Sequence, residues 1–263
     1  MSATCDQRTE TFSELAFHHC LARPGTIVDV GANIGAFSRP FSTWPNTRLI
    51  AFEPFAPIFD YLNSTIQEDH GGTLPSTTTL HRIALGEAPG TAALRVPRDA
   101  TGLLVHPMSS MARSFEGLYG VTFVEVEVPV WTLDSLRLED VTAIKIDAEG
   151  YETEVLHGAR DTIQRCRPIL SCECEERHRE GATWYIPGFM RALGYDGWFH
   201  HQDQFWPLAA FDRATMQRAA PHGEAQPAPY INTFFFLPQE EAGLRQRLSR
   251  FGPFRTASRH KAP

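Results

Sequence analysis

Two short stretches of the chain carry residues whose type and spacing suit a chemical role. The first is Asp29-x-Gly31-x-Asn33-x-Gly35, directly after a short, apolar, β-branched stretch at 26–30. A strand followed by a glycine turn and a helix start exposes backbone N–H groups to which a phosphate or nucleotide can bind. The pattern lacks the lysine of a P-loop and the middle glycine of a dinucleotide fingerprint, where Asn33 stands instead. It therefore predicts a nucleoside-type ligand without identifying it.

An acidic residue follows at the distance that a ribose contact requires. Glu53 lies at the end of a second predicted strand, 48–52, eighteen positions after Gly35. A carboxylate placed there can accept hydrogen bonds from both ribose hydroxyls, and both NAD and S-adenosylmethionine (SAM) carry that ribose. Glu53 thus supports a nucleoside ligand and does not choose between the two.

The second stretch contains the candidates for proton transfer. A predicted buried strand delivers Lys145, Asp147 and then Glu149 to the sheet edge at which the glycine turn lies. His178 follows the predicted strand 168–174, together with Glu173 and Glu175. Asp147, Glu149 and His178 are the candidate general bases. A divalent cation with Asp147 as one ligand is an alternative, but the sequence shows no cluster with metal-ligand spacing, so no metal site is predicted.

The elements that position these residues predict an α/β fold. Strands at 26–30, 48–52, 77–85, 92–96, 124–131, 143–147 and 168–174 alternate with helical segments, which indicates a Rossmann-like, doubly wound, mostly parallel sheet. The strand at 92–96 is expected to extend this core sheet. Strands at 195–199 and 230–237 are expected to form an antiparallel pair at its edge.

The chain is predicted to be a single domain of 263 residues. An N-terminal helix at 11–22 lies within residues 1–25, the core covers 26–238, and a polar, basic tail follows at 239–263, predicted as a helical turn and then a loose end. A long irregular insertion at about 98–121 is expected to be a lid over the substrate, with His106, Ser109 and Ser110 as candidate contacts.

Composition limits the partners. The net charge of −7 argues against nucleic acid as the main partner. No signal peptide or membrane-spanning stretch is visible, and an odd count of five cysteines suggests reduced thiols. We therefore expect a cytoplasmic protein with a small-molecule partner; the oligomeric state is left open.

Six separated stretches, in order, resemble the FkbM-type methyltransferase family, a class I SAM-dependent family. They read Ile-Val-Asp-Val-Gly-Ala-Asn-Ile-Gly (27–35), Ala-Phe-Glu-Pro (51–54), Ile-Ala-Leu-Gly (83–86), Trp-Thr-Leu-Asp-Ser-Leu (131–136), Ile-Lys-Ile-Asp-Ala-Glu-Gly-Tyr-Glu (144–152) and Val-Leu-His-Gly-Ala (155–159). The resemblance covers roughly residues 26 to 175.

The resemblance implies a SAM cofactor and a role for several of these positions. Its cofactor positions fall on Asp29, Gly31, Asn33, Gly35, Glu53 and, beside the adenine, Ala84. Asp147 and Glu149 are implied to lie beside the cofactor or substrate. Members typically methylate hydroxyl groups of sugars and secondary metabolites, so we expect O-methylation of such a small molecule. N- or carboxyl-methylation, a dehydrogenase, and a SAM- or nucleoside-binding module without chemistry remain alternatives.

Overall fold

The computed structural model of the chain describes residues 11–98, 101, 109–112, 122–218 and 229–256. Its strands, in chain order, are β1 (Gly25–Val30), β2 (Thr47–Phe52), β3 (Thr78–His81), β4 (Ala84–Leu85), β5 (Gly90–Arg98), β6 (Thr122–Trp131), β7 (Val141–Ile146), β8 (Ile169–Glu173), β9 (Tyr195–His201), β10 (Gln204–Pro207) and β11 (Thr233–Pro238). Its helices are α1 (Glu14–Leu21), α2 (Ser38–Phe41), α3 (Ala56–Asp69), α4 (Glu152–His157), α5 (Arg160–Cys166), α6 (Ala182–Ala192), α7 (Arg213–Met216) and α8 (Ala242–Leu248).

The central sheet has the strand order β10-β9-β11-β8-β7-β1-β2-β3. The five strands from β8 to β3 run parallel, and β11, β9 and β10 are antiparallel to their neighbours. Because helices cover both faces, the parallel strands other than the outer β3 are buried along most of their length. The predicted Rossmann-like α/β fold is confirmed.

The antiparallel edge contains one strand more than the sequence predicted. β9 and β11 pair as expected, but β10 folds back on β9 and becomes the outer strand. Gln202 and Asp203 form the two-residue turn between them, with φ of +51° and +54°. Two consecutive positive φ values are typical of a type I′ hairpin, for which the usual sequence signal is a glycine or asparagine that this turn lacks.

Part of one expected core strand and the whole of another lie outside the central sheet. The predicted strand 77–85 divides into β3, which remains in the central sheet, and β4, which leaves it. The predicted strand 92–96 lies within β5, which belongs to a separate three-stranded sheet of order β4-β6-β5 and does not extend the core. The reason is that the apolar face of this small sheet, including Leu94, Val96 and Val130, packs against Phe55 and Ile58 at the start of α3.

The first and last helices of the described residues pack against each other. Phe17 and Leu21 of α1 share a buried apolar cluster with Leu244 and Leu248 of α8 and with Phe251. Part of the predicted basic tail therefore belongs to the core, because Leu244 and Leu248, four residues apart, lie on the same face of α8. The rest of that tail, 257–263, lies outside the described residues.

Candidate functional site

The turn after β1 lies directly on the loop after β7. The amide of Asp147 donates to the carbonyl of Val30, and a Cβ on Gly31 would lie 1.8 Å from the carbonyl oxygen of Asp147. Gly31 also has a φ of +71°. A side chain at this position would therefore have to push the two loops apart, so glycine brings the two predicted functional stretches together.

We predict that Gly31→Ala lowers the free energy of unfolding by roughly 2 to 4 kcal/mol, because a left-handed backbone and an overpacked contact are both costly. Gly71→Ala is the matched control. Gly71 has a similar φ of +74°, but no atom lies within 4 Å of the Cβ position. The control should lose about 1 kcal/mol from backbone strain alone. Urea unfolding of both variants measures the difference, and equal losses would contradict the close contact.

A cavity of about 210 Å³ lies between this turn, the loop after β2 and the small sheet. One end is apolar. The lining residues of this kind are Val30, Phe52, Pro54, Phe55, Ile58, Ile83, Ala84, Leu85, Leu94, Met111 and Ala148. The other lining residues are Gly31, Asn33, Glu53, Ser109, Asp147 and Glu149. A pocket with an apolar wall and a few convergent polar groups is typical of a small-molecule or cofactor site.

Glu53 forms hydrogen bonds with two backbone segments that line this cavity. Its buried carboxylate accepts hydrogen bonds from the amide of Asn33, at 3.0 Å, and from the amide of Phe55, at 2.8 Å. Burial raises the pKa of Glu53 to about 7, although these two hydrogen bonds act in the opposite direction. Each oxygen retains a second lone pair for a ligand.

Two polar atoms in the cavity wall are buried and have no hydrogen-bond partner among the residues that the structure describes. They are Oδ1 of Asn33 and Oγ of Ser109. Unpaired buried polar atoms are uncommon and call for an explanation such as a bound ligand. Asn33 has a φ of +47°, which asparagine tolerates better than most residues.

Asp29 and Gly35, two of the predicted cofactor positions, do not line the cavity. The fully buried Asp29 accepts a hydrogen bond from the hydroxyl of Ser38 at 2.6 Å, because its side chain points to the opposite face of β1 from Val30. Gly35 closes the turn by donating its amide to the carbonyl of Ala32. Both residues shape the turn and do not face the pocket.

Lys145 contacts residues of both predicted functional stretches, the turn after β1 and the loop after β7. Its buried ammonium lies 3.6 Å from Oδ1 of Asp29 and 3.4 Å from Oδ2 of Asp147, and donates to the carbonyl of Gly31 at 3.2 Å. Burial acts to lower the pKa of Lys145, but the carboxylates of Asp147, Asp29 and Glu14 outweigh it and raise the pKa. Lys145 therefore remains charged and fixes the position of Asp147.

Asp147 lines the polar end of the cavity, and its side chain is 41% exposed. The turn that presents it is held by Glu152, whose Oε1 accepts from the amides of Ala148 and Gly150. Burial, together with Glu173, raises the pKa of Glu152 to about 8. Glu152 is not among the predicted site residues; the signal that could have found it is a carboxylate at the first position of a helix, two residues after a glycine.

Glu149 and His178 come together, as the positions of their strands in the sheet lead one to expect. His178 Nε2 lies 3.3 Å from Glu149 Oε2, and His178 Nδ1 lies 3.4 Å from Glu173 Oε2. Burial and the carboxylates of Glu173 and Asp147 raise the pKa of Glu149 to about 9. Glu149 lines the cavity, whereas His178, Glu173 and Glu175 lie behind it.

Part of the predicted lid covers this end of the site. Ser110 exchanges backbone hydrogen bonds with Arg95 of β5, and its hydroxyl donates to the carbonyl of Glu149. Its neighbours Ser109 and Met111 line the cavity. His106, the third candidate contact, lies outside the described residues.

The comparisons with known proteins find methyltransferases, and one family model matches most of the chain. The Methyltransferase FkbM domain family matches residues 29–197. Methyltransferase sdnD of Sordaria araneosa is 29% identical over 213 residues, which cover 70% of this chain and 81% of sdnD. Methyltransferase 1 of Beauveria bassiana (strain ARSEF 2860) is 28% identical over 150 residues, which cover 51% of this chain and 58% of the relative.

A solved structure supports the fold. Methyltransferase FkbM from Methylobacillus flagellatus KT superposes with a TM-score of 0.51 at 17% identity, over 85% of this chain. The match spans only 50% of that bacterial chain.

The fold and the site define an α/β methyltransferase domain that depends on SAM. The chain belongs to the FkbM methyltransferase family. In the part of the chain that the structure describes, no helix is both long and apolar enough to cross a membrane. Four of the five cysteines fall in that part, and all four are free thiols.

Proposed function

We propose that this chain transfers a methyl group from SAM to a hydroxyl group of a small molecule, of the sugar or secondary-metabolite type. The observation that carries the proposal is the position of Asp147. It is a partly exposed carboxylate at the polar end of the cavity, held by Lys145 from behind. An alcohol is a poor nucleophile until it loses its proton, so a positioned base is what O-methylation requires. The net charge of −7 also favours a small molecule over a nucleic acid.

The cavity suits the cofactor. Glu53 has free lone pairs for the two ribose hydroxyls, and the unpaired Oδ1 of Asn33 can accept from an ammonium group. Ile83, Ala84 and Leu85 offer an apolar wall for the adenine. We assign Asp29 and Gly35 an indirect role, because they shape the turn that presents Asn33.

Each of these site residues then has a defined role in methyl transfer. When bound, SAM supplies a methyl group that its sulfonium has already activated. Asp147 accepts the proton of the acceptor hydroxyl, and Lys145 keeps its carboxylate in place. Ser109 and Met111 close the cavity and exclude water, so that the acceptor is held in one orientation.

The proposal is tested by titrating the protein calorimetrically with S-adenosylhomocysteine and with NAD, followed by an acceptor screen with methyl-labelled SAM. We expect micromolar binding of S-adenosylhomocysteine, no binding of NAD, and a labelled product whose new methyl group is on oxygen by NMR. A methyl group on nitrogen or on a carboxylate would replace the O-methylation proposal with one of its alternatives. Binding without methylation of any acceptor would instead favour a binding module.

A further inference from the structure

Three side chains meet behind the polar end of the cavity. Glu149 comes from the loop after β7, and Glu173 and His178 come from the end of β8 and the turn that follows. Each offers one ligand atom, and these atoms all lie within 4.8 Å of one another. Two ligands at about 2.1 Å from one cation are about 3 Å apart when adjacent and about 4.2 Å apart when opposite. Glu149 faces Nε2 of His178 and Glu173 faces Nδ1, so one carboxylate has to turn toward the ring nitrogen that binds the ion.

Two of the polar atoms in this cluster, one on His178 and one on Glu173, are buried and incompletely satisfied. The side chain of His178 is only 3% exposed, and its Nδ1 makes no hydrogen bond. Oε2 of Glu173 likewise has no hydrogen-bond partner, although it lies 3.4 Å from that nitrogen. The other oxygen of Glu173 accepts from the side-chain amide of Asn232 at 3.0 Å, which fixes the carboxylate. Within the part of the chain that the structure describes, this buried imidazole nitrogen and buried carboxylate oxygen thus face each other at 3.4 Å without a well-aligned hydrogen bond.

The charges around these atoms are unbalanced. His178 is the only basic side chain that pairs with Glu149 or Glu173 among the described residues. A third carboxylate, Glu175, lies 3.6 Å from His178 Nε2, and it already pairs with Arg177 and accepts from Tyr230. Carboxylates gathered in a buried place need either protons or a compensating positive charge, and a bound cation supplies the second.

We propose that Glu149, Glu173 and His178 bind one divalent first-row cation, such as Mn²⁺, beside the cofactor cavity. One imidazole and two carboxylates suit Mn²⁺ better than Mg²⁺, which prefers oxygen ligands and retains its water. Because Glu149 also lines the cavity, the ion lies within reach of an acceptor oxygen whose pKa it can lower. That catalytic use rests on the proposed function; the binding of the ion does not.

The test is direct binding of Mn²⁺ to the full chain after treatment with a chelator, followed by electron paramagnetic resonance. We expect one Mn²⁺ per chain with micromolar affinity. The affinity should fall at least tenfold in Glu173→Gln and in His178→Gln, since each loses one ligand. Glu154→Gln is the control, because Glu154 pairs with Arg179 and is not one of the three candidate ligands; its Mn²⁺ affinity should equal that of the wild type.

Binding of S-adenosylhomocysteine shows that each variant is folded. Pulsed measurements on the wild type should also detect coupling between Mn²⁺ and a histidine nitrogen, which needs no variant. The proposal is overturned if wild-type protein that binds S-adenosylhomocysteine does not bind Mn²⁺, or if the bound ion shows no nitrogen coupling. Methyl transfer without Mn²⁺ binding would remove the metal site and leave the proposed function standing.

Discussion

Asp147→Asn is expected to lower the turnover number by about 100- to 1000-fold, which is the usual contribution of a positioned base. The affinity for S-adenosylhomocysteine should stay within about threefold of the wild type. The amide has nearly the shape of the carboxylate, but it cannot accept the proton of an alcohol. Lys145 keeps its contacts with Asp29 and with the carbonyl of Gly31, so the residues that support the site should remain in place.

This prediction is measured by steady-state kinetics with the acceptor that the screen identifies. Asp60→Asn is the matched control, because Asp60 is an exposed residue of α3 outside the cavity lining. It should turn over as the wild type does. If Asp147→Asn retained more than a third of the wild-type turnover, Asp147 would not be the base, and an amine acceptor would become the better hypothesis.

Glu53→Gln is expected to weaken the binding of S-adenosylhomocysteine by about 10- to 100-fold, because one buried carboxylate that serves several donors is worth about 1.5 to 3 kcal/mol. The glutamine can accept with one oxygen only, and its NH₂ group faces a backbone amide in place of the other. Calorimetric titration measures the loss. Glu68→Gln, at an exposed position of α3, is the control and should bind normally.

The stability of the protein and its affinity for S-adenosylhomocysteine should both depend on pH through Glu53, and in opposite directions. Burial raises the pKa of Glu53 to about 7, so the free protein holds this proton more tightly than the unfolded chain does. Protonated Glu53 contributes stability that is fully present below the pKa of this residue in the unfolded chain, and this contribution is lost as the pH rises through about 7. Binding should change in the opposite direction and tighten as the pH rises, because ribose hydroxyls donate best to the ionised carboxylate.

The pH dependence of stability and that of affinity are both measured as differences between the wild type and Glu53→Gln at pH 5 to 8. Unfolding in urea gives the stability and calorimetry gives the affinity. The comparison with the variant is needed because burial also raises the pKa of Glu14 to about 7. An affinity that depended on pH equally in both proteins would show that Glu53 does not titrate in the cofactor site.

The sequence alone determined the parts of this protein that depend on neighbours along the chain. An apolar β-branched run followed by Gly31 predicts a strand and turn, because local sterics and burial act over a few residues. The rule that parallel strands end at one edge then placed Glu53, Asp147 and Glu149 at the same crevice, where the structure has them. The family resemblance rests on these same stretches.

Only the tertiary structure decided which way individual side chains face. Adjacent strand residues point to opposite faces, so the placement of Asp29 beneath the turn and of Val30 in the cavity depends on which layer each face packs against. The meeting of Glu149 with Glu173 and His178 joins two segments more than 20 residues apart in the chain. No spacing rule along the chain encodes that contact, because the packing of β7 against β8 creates it.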